Sequence, residues 1–206
     1  MTDTEPYKRY ALSFTSGGLL VREAEIVVSE YLSVRDWGMA RHAVTEQNLL
    51  QARTTSSSVR VSREAAQRVS VLEDSELEMF ADLSYTERCH LMWAAACRRY
   101  ELIGDFAEEV VRERFLLMTP TVGLEDFERF MARKGLWHTE LDELKPSTRT
   151  KLRQSAFRML HEAELLSKQG EILPALLSER IHEILAAHIP SDIRFFPTTL
   201  PMEVQR

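Results

Sequence analysis

Cysteine is scarce in this 206-residue chain, which has only two. Cys89 and Cys97 lie in a stretch that reads as one helix, so they sit about 12 Å apart along its axis, too far to bridge. That spacing excludes a disulfide framework and points to small apolar side chains packed in a reducing compartment. Long apolar runs are missing as well. Even the stretch from Gly17 to Leu32 is broken by Arg22, Glu23, Glu25 and Glu30, so nothing is expected to cross a bilayer. The opening MTDTEPYKRY lacks the basic-then-apolar order of a signal peptide, and a cytoplasmic location is expected. Chemical motifs are absent too. There is no C-x-x-C and no Cys/His quartet, and His182-Glu183 followed by His188 is spaced too widely for the H-E-x-x-H zinc signature. No G-x-S-x-G elbow, Walker A loop or Rossmann fingerprint occurs. No cofactor and no metal site is expected, and a binding protein is favoured over an enzyme.

What is present is ordinary soluble-protein composition, 44% hydrophobic and 28% charged, in a chain long enough to bury a core as one large or two small domains. The charge is unevenly distributed. The whole chain is at −6, yet residues 145–160 carry +5 from Lys145, Arg149, Lys151, Arg153 and Arg158, with no acid among them. Residues 53–70 carry +3 from Arg53, Arg60, Arg63 and Arg68 against Glu64. The rest of the chain therefore holds −14, so two basic islands stand on an acidic body. For nucleic-acid binding, that distribution matters more than the sum.

The segment KPSTRTKLRQSAFRMLHEAELLSKQGEIL, from Lys145 to Leu173, is the most informative. Pro146 sets a turn and Ser147 or Thr148 is placed to cap a helix. Leu152, Ala156, Met159, Leu160 and Ala163 then recur at the spacing of a buried helical stripe. At about 100° per residue, Ser147, Thr150, Lys151, Gln154 and Arg158 fall on the opposite, outward face. Arg149 and Arg153 flank the stripe, with stems over core and heads reaching out, as phosphate ligands rather than base readers. The apolar runs on either side of Ser167–Gly170 read as a β-hairpin wing with Lys168 near its tip. Upstream, Leu124, Phe127, Phe130 and Met131 mark a helix stopped by Gly135, and a short helix follows from His138 to Leu144. The order of helix, short helix, basic helix and hairpin is that of a winged helix-turn-helix, whose third helix enters the major groove. A merely solvated basic face is the alternative, and the order of elements favours nucleic acid.

Elsewhere, Gly17-Gly18 opens an amphipathic helix, and a second helical segment runs from Asp36 to Gln51. The stretch from Arg53 to Arg63 is dense in hydroxyls and guanidinium groups, which suit phosphate oxygens, although a flexible Ser/Thr-rich loop capped onto the next helix is an equal reading. From Glu73 to Glu87 there are six acids and no basic residue. This is a solvated helix start, a DNA-repelling face or a site for a basic partner. Ser84 and Glu87 form a capping box ahead of a strongly apolar helix, and another helix is expected from Asp105 to about Met118. Pro174 is read as starting the last helix, and Pro190, Pro197 and Pro201 make the tail extended; Phe195-Phe196 in it can dock on the body, the commoner case, or on another protein.

The stretches YALSFTSGGLLVREAEIVVSEYL, RTTSSSVRVSREAAQRVSVL and LWHTELDELKPSTRTKLRQSAFRMLHEAELL together resemble the BrxA family of bacterial BREX (bacteriophage exclusion) systems. The resemblance implies a mostly helical protein that binds double-stranded DNA and acts beside other BREX proteins in antiphage defence. A fold likeness to the RNA-binding NusB antitermination proteins goes with it. Such proteins are sometimes labelled inner-membrane proteins, which is at odds with a sequence that has no span.

The expected fold is mainly α, a multi-helix bundle with helix-turn-helix or winged-helix-like units and a small β-hairpin wing. Residues 1–83 form an N-terminal helix-turn-helix-like unit and 84–122 a central hub. Residues 123–206 form a winged-helix-like unit with a final helix and tail. The expected function is non-enzymatic double-stranded DNA binding with low sequence specificity. Lys151, Gln154 and Arg158 are placed toward the groove, with Arg149, Arg153, Lys168, Arg60 and Arg63 on phosphates and Arg53, Ser147 and Thr150 beside them. A protein–protein adaptor and an RNA-binding module are the rivals.

Overall fold

Four of the α-helices start where an Asp, Ser or Thr side chain in front of them accepts a bond from the first turn. The computed structural model describes residues 8–15 and 17–199; the opening residues 1–7, Ser16 ahead of the glycine pair and the tail from residue 200, with its Pro201, lie outside them. Helix α1 spans Val21–Val34. Helix α2, Trp37–Glu46, begins where the Asp36 carboxylate accepts from the Met39 N–H at 2.7 Å. Helix α3 spans Thr55–Val69 and is capped by Thr54, whose Oγ1 accepts from the Ser57 N–H at 3.2 Å. These three helices pack on one another, and the Tyr31 and Trp37 rings stack at the α1–α2 corner with centroids 3.7 Å apart. The segment after Arg53 is thus helix almost from its start: the Thr54 cap settles the hydroxyls into a first turn rather than a loop.

A short α4, Asp74–Met79, runs into a 3-10 turn at Phe80–Asp82. Helix α5 spans Tyr85–Arg99, with Ser84 and Glu87 forming the expected capping box. Every residue from Cys89 to Cys97 is buried, so α5 is apolar on all sides and is wrapped by α3 and later helices. Both cysteines are free. The chain bends at Tyr100 into α6, Glu101–Phe106, which continues as a π-helical stretch, Ala107–Arg112, and then α7, Glu113–Leu116. Helices α8, Leu124–Gly135, and α9, Thr139–Asp142, follow. Phe127 and Phe130 of α8 meet Phe106 and Phe157 in one aromatic cluster, with centroids 4.9–6.4 Å apart.

Helix α10 spans Pro146–Glu162. Pro146 is its first residue rather than a preceding turn, and no side chain caps it. Proline suits that position because its missing N–H has no intrahelical partner there. Leu152, Ala156, Met159, Leu160 and Ala163 are all fully buried, as the periodicity requires. Beyond α10 the β content is slight. Single antiparallel bridges pair Leu166 with Ile172 and Thr121 with Glu171, and Ser167–Gly170 closes as a turn through Gly170 N–H to the Ser167 carbonyl at 2.9 Å.

The last helix, α11, is Glu179–Ala186, capped by Ser178. It starts later than Pro174 suggests, and Leu176 stays exposed. Phe195 and Phe196 are docked on the body and buried: the Trp93 indole N–H donates to the Phe195 carbonyl at 2.9 Å, and the Phe195 ring lies so close to Gly104 that a Cβ there would crowd it. No helix among the described residues is long and apolar enough to cross a membrane.

Candidate nucleic-acid interface

Helix α3 separates its residues sharply by face. Ser58, Ser62, Ala65, Ala66 and Val69 are buried, which leaves Ser56, Arg60 and Arg63 exposed opposite them, with Arg53 exposed just ahead of the helix. None of these three arginines has a carboxylate within ion-pair reach among the described residues. The first turn of α3 contains no acid, so its partly positive N–H end is not neutralised locally. Free guanidinium groups and exposed hydroxyls thus run from the N-terminus of α3 to its middle along its exposed side. Such groups bond phosphate oxygens.

Arg68, the fourth cation of this island, has the opposite environment. It is fully buried and pairs with Glu64 at 2.8 Å. Its Nη1 donates to the Gly18 carbonyl and lies near the Met159 sulfur of α10. Tyr100 donates to the same Glu64 carboxylate at 2.7 Å; burial pushes its phenol up to about 12. The network fixes α3 against α5, α10 and the loop before α1. A Cβ at Gly18 would displace the Glu162 carboxylate, which accepts the Leu19 N–H at 2.6 Å. The backbone just after the glycine pair thus receives an anion from its own chain.

On α10, Ser147, Lys151, Gln154 and Arg158 are exposed and Thr150 is half-buried. Three of its cations already hold carboxylates. Arg149 and Arg153 both reach Glu128 of α8, at 3.3 and 2.6 Å, and Arg158 pairs with Glu162 at 2.8 Å. Lys151, Lys145 and Lys168, all exposed, have no ion pair to a described carboxylate. Lys168 sits in the turn after α10, where the Ser167 hydroxyl accepts from the N–H groups of Gln169 and Glu171. That turn is braced by the segment before α8: Val122 N–H donates to the Gly170 carbonyl at 2.9 Å and Ile172 N–H to the Pro120 carbonyl at 2.7 Å. Arg114 secures the brace, bonding the Thr121 carbonyl and pairing with Asp126. Burial alone would raise the Asp126 carboxyl; the Gly123 N–H and the guanidinium groups of Arg129 and Arg114 outweigh it and hold the group below the usual carboxylate range.

The Arg158–Glu162 pair was readable at i,i+4 spacing. Glu128 was not, because it arrives from a different helix. Nor does a helix wheel alone reveal that Arg68 turns inward, although Arg68 lies next to Val69 and one turn after Glu64.

A family model described as BrxA matches residues 8–189. The chain belongs to the BrxA family. The match takes in α1 to α11 and both basic islands. The protein described as BREX protein BrxA from Paramagnetospirillum magneticum (strain ATCC 700264 / AMB-1) is 25% identical over 154 residues, which is 75% of this chain and 77% of that BrxA protein. A crystal structure of an uncharacterized protein from Magnetospirillum magneticum superposes with a TM-score of 0.81 at 23% identity, over 92% of this chain and 100% of that one. That likeness establishes a shared fold.

Proposed function

We propose that this BrxA-family protein is a non-enzymatic, double-stranded DNA-binding accessory component of a BREX antiphage system, working beside other BREX proteins in the cytoplasm. The observation that carries the DNA-binding reading is the trio Arg53, Arg60 and Arg63, exposed and unpaired just ahead of α3 and along its first nine residues, in a chain of net charge −6. A helix N-terminus entering the major groove, with arginines reaching the flanking phosphates, is how helix-turn-helix proteins dock. The defence role is carried by family membership and by the relative's description as a BREX protein.

A second basic surface comes from α10 and the following turn. The succession of the 120–122 segment, α8, α9, α10 and the paired 165–173 stretch supports reading this half as a winged helix-turn-helix with Lys168 on the wing. Here Lys151, Gln154, Ser147 and Thr150 are available at once, whereas Arg149, Arg153 and Arg158 reach phosphate only by leaving Glu128 and Glu162. Few outward polar groups are of the kind that read base edges, so sequence preference is weak and most of the affinity is electrostatic.

A competition assay tests this reading. Unlabelled duplex DNA is expected to displace a labelled random duplex better than single-stranded or hairpin RNA does, because A-form RNA closes its major groove to a helix. Better competition by RNA would point to an RNA-binding module, and failure of every nucleic acid to bind would point to an adaptor.

A further inference from the structure

DNA binding leaves the acidic run after Glu73 without a role, and that run forms one wall of a groove. Between α1 and the Phe80–Asp82 turn lies a cavity of about 520 Å³, within the range of about 300–1,000 Å³ typical of ligand clefts. Its floor is apolar, formed by the buried Val28 and Phe80, and Ile26, Leu32 and Leu49 rise from it as half-buried walls. Its mouth is acidic. Glu25 and Glu30 line it, and the exposed Asp82 follows Ala81, another lining residue. Arg88 pairs with Glu25 at 2.7 Å, but neither Glu30 nor Asp82 has a cation within ion-pair reach among the described residues. Glu78 and Asp74, further along the same run, share the single cation Arg35.

We propose that this groove is the docking site for a basic amphipathic segment of a partner protein. Apolar side chains of the segment fill the slot over Val28 and Phe80, and its lysines or arginines meet Glu30, Asp82 and Glu25 at the mouth. Helix-in-groove recognition works in this way, with apolar anchors for affinity and complementary charge for orientation and encounter rate. Charge argues against the other occupants. Phosphate would face unpaired carboxylates, and residues 1–7 carry Asp3 and Glu5 with no lysine or arginine. Residues 200–206 carry one acid and one base. The basic face of α3 on a second copy offers Val59 as its one exposed large apolar side chain. The chain would then have a basic side for DNA and an acidic groove for a protein.

The probe is a fluorescein-labelled model peptide of about four helical turns, with leucines on one face and lysines elsewhere. The controls are a scrambled peptide of the same composition and a glutamate-for-lysine version. The full-length protein is expected to bind the amphipathic lysine peptide and neither control, with amide shifts at Ile26, Leu32 and Leu49. Glu30→Gln/Asp82→Asn, which keeps the side-chain shapes and removes the two unpaired charges, is expected to weaken peptide binding about tenfold while leaving the thermal melt and random-duplex affinity nearly unchanged. Four results would overturn the proposal: equal binding of the scrambled peptide, equal binding by the double variant, shifts that map away from the groove, or self-association of the protein that the double variant abolishes. The last would assign the groove to a second copy.

Discussion

Arg60 and Arg68 belong to the same helix and the same basic island, yet one is free at the surface and the other is fully buried on Glu64. The difference decides what each substitution does. Arg68→Met leaves the Glu64 carboxylate buried without its partner and should destabilise the protein by about 3–5 kcal/mol. The double variant Arg68→Met/Glu64→Gln should recover much of that loss, and urea denaturation of both checks it. Arg60→Glu should leave stability within about 0.5 kcal/mol and act on binding instead. Glu76 gives a residue-scale pH dependence. Its burial would raise the carboxyl, but the Arg98 guanidinium, donating to both oxygens at 2.7 and 2.8 Å, outweighs it and the group lies below its ordinary value of 4.5. A depressed carboxyl adds stability that is fully present above the ordinary value and is lost as pH falls through the folded one. The stability gap between wild type and Glu76→Gln should therefore be widest near neutrality and shrink below about pH 4.5. An unchanged gap in acid would show that the Arg98 pairing is not its source.

Among the elements, α10 and α3 were legible in the sequence to different depths. The buried stripe of α10 and its outward face follow directly from periodicity, because the i, i+4, i+7 rule depends only on helix geometry. Its electrostatics do not, since Glu128 reaches Arg149 and Arg153 through tertiary packing that no local pattern records. The extent of α3 was obscured by its run of serines and threonines, which suits a loop as well as a capped helix until the Thr54 cap is seen. The last helix begins later than the sequence suggests for a related reason: Pro174 can open a helix, but Ser178 supplies the cap that does. Glu128→Gln separates the two basic elements. If α10 lies on DNA, freeing Arg149 and Arg153 should strengthen duplex binding about threefold and steepen its salt dependence. If α3 alone carries the DNA, affinity should stay unchanged. In either case the ion pairs are partly exposed, and their loss should cost under about 1 kcal/mol of stability.

Across the whole molecule, one core cluster runs from Tyr10 to Phe196 around the buried Cys89–Cys97 stretch of α5, and most of the charge is sorted outside it. The overall −6 hides this sorting, which became visible in the sequence only when charge was read by segment. The mainly helical fold was legible because it rests on long patterns of apolar spacing, and the family because three long stretches of the chain resemble it. The docking of Phe195-Phe196 onto Trp93 and Gly104, and the groove between α1 and the Phe80–Asp82 turn, were not, because each joins parts of the chain far apart in sequence. The proposed DNA binding by an acidic protein rests on a free arginine face rather than on net charge. The most direct test is fluorescence anisotropy of a labelled random-sequence duplex across a salt series, with wild type beside Arg60→Glu/Arg63→Glu and Lys151→Glu. Wild type should bind with log affinity falling linearly in log salt. Each reversed variant should stay folded, bind more weakly, and show a slope shallower by about 0.9 for every phosphate it no longer neutralises. No binding by wild type at low salt, or reversed variants that bind as tightly and with the same slope, would contradict the account.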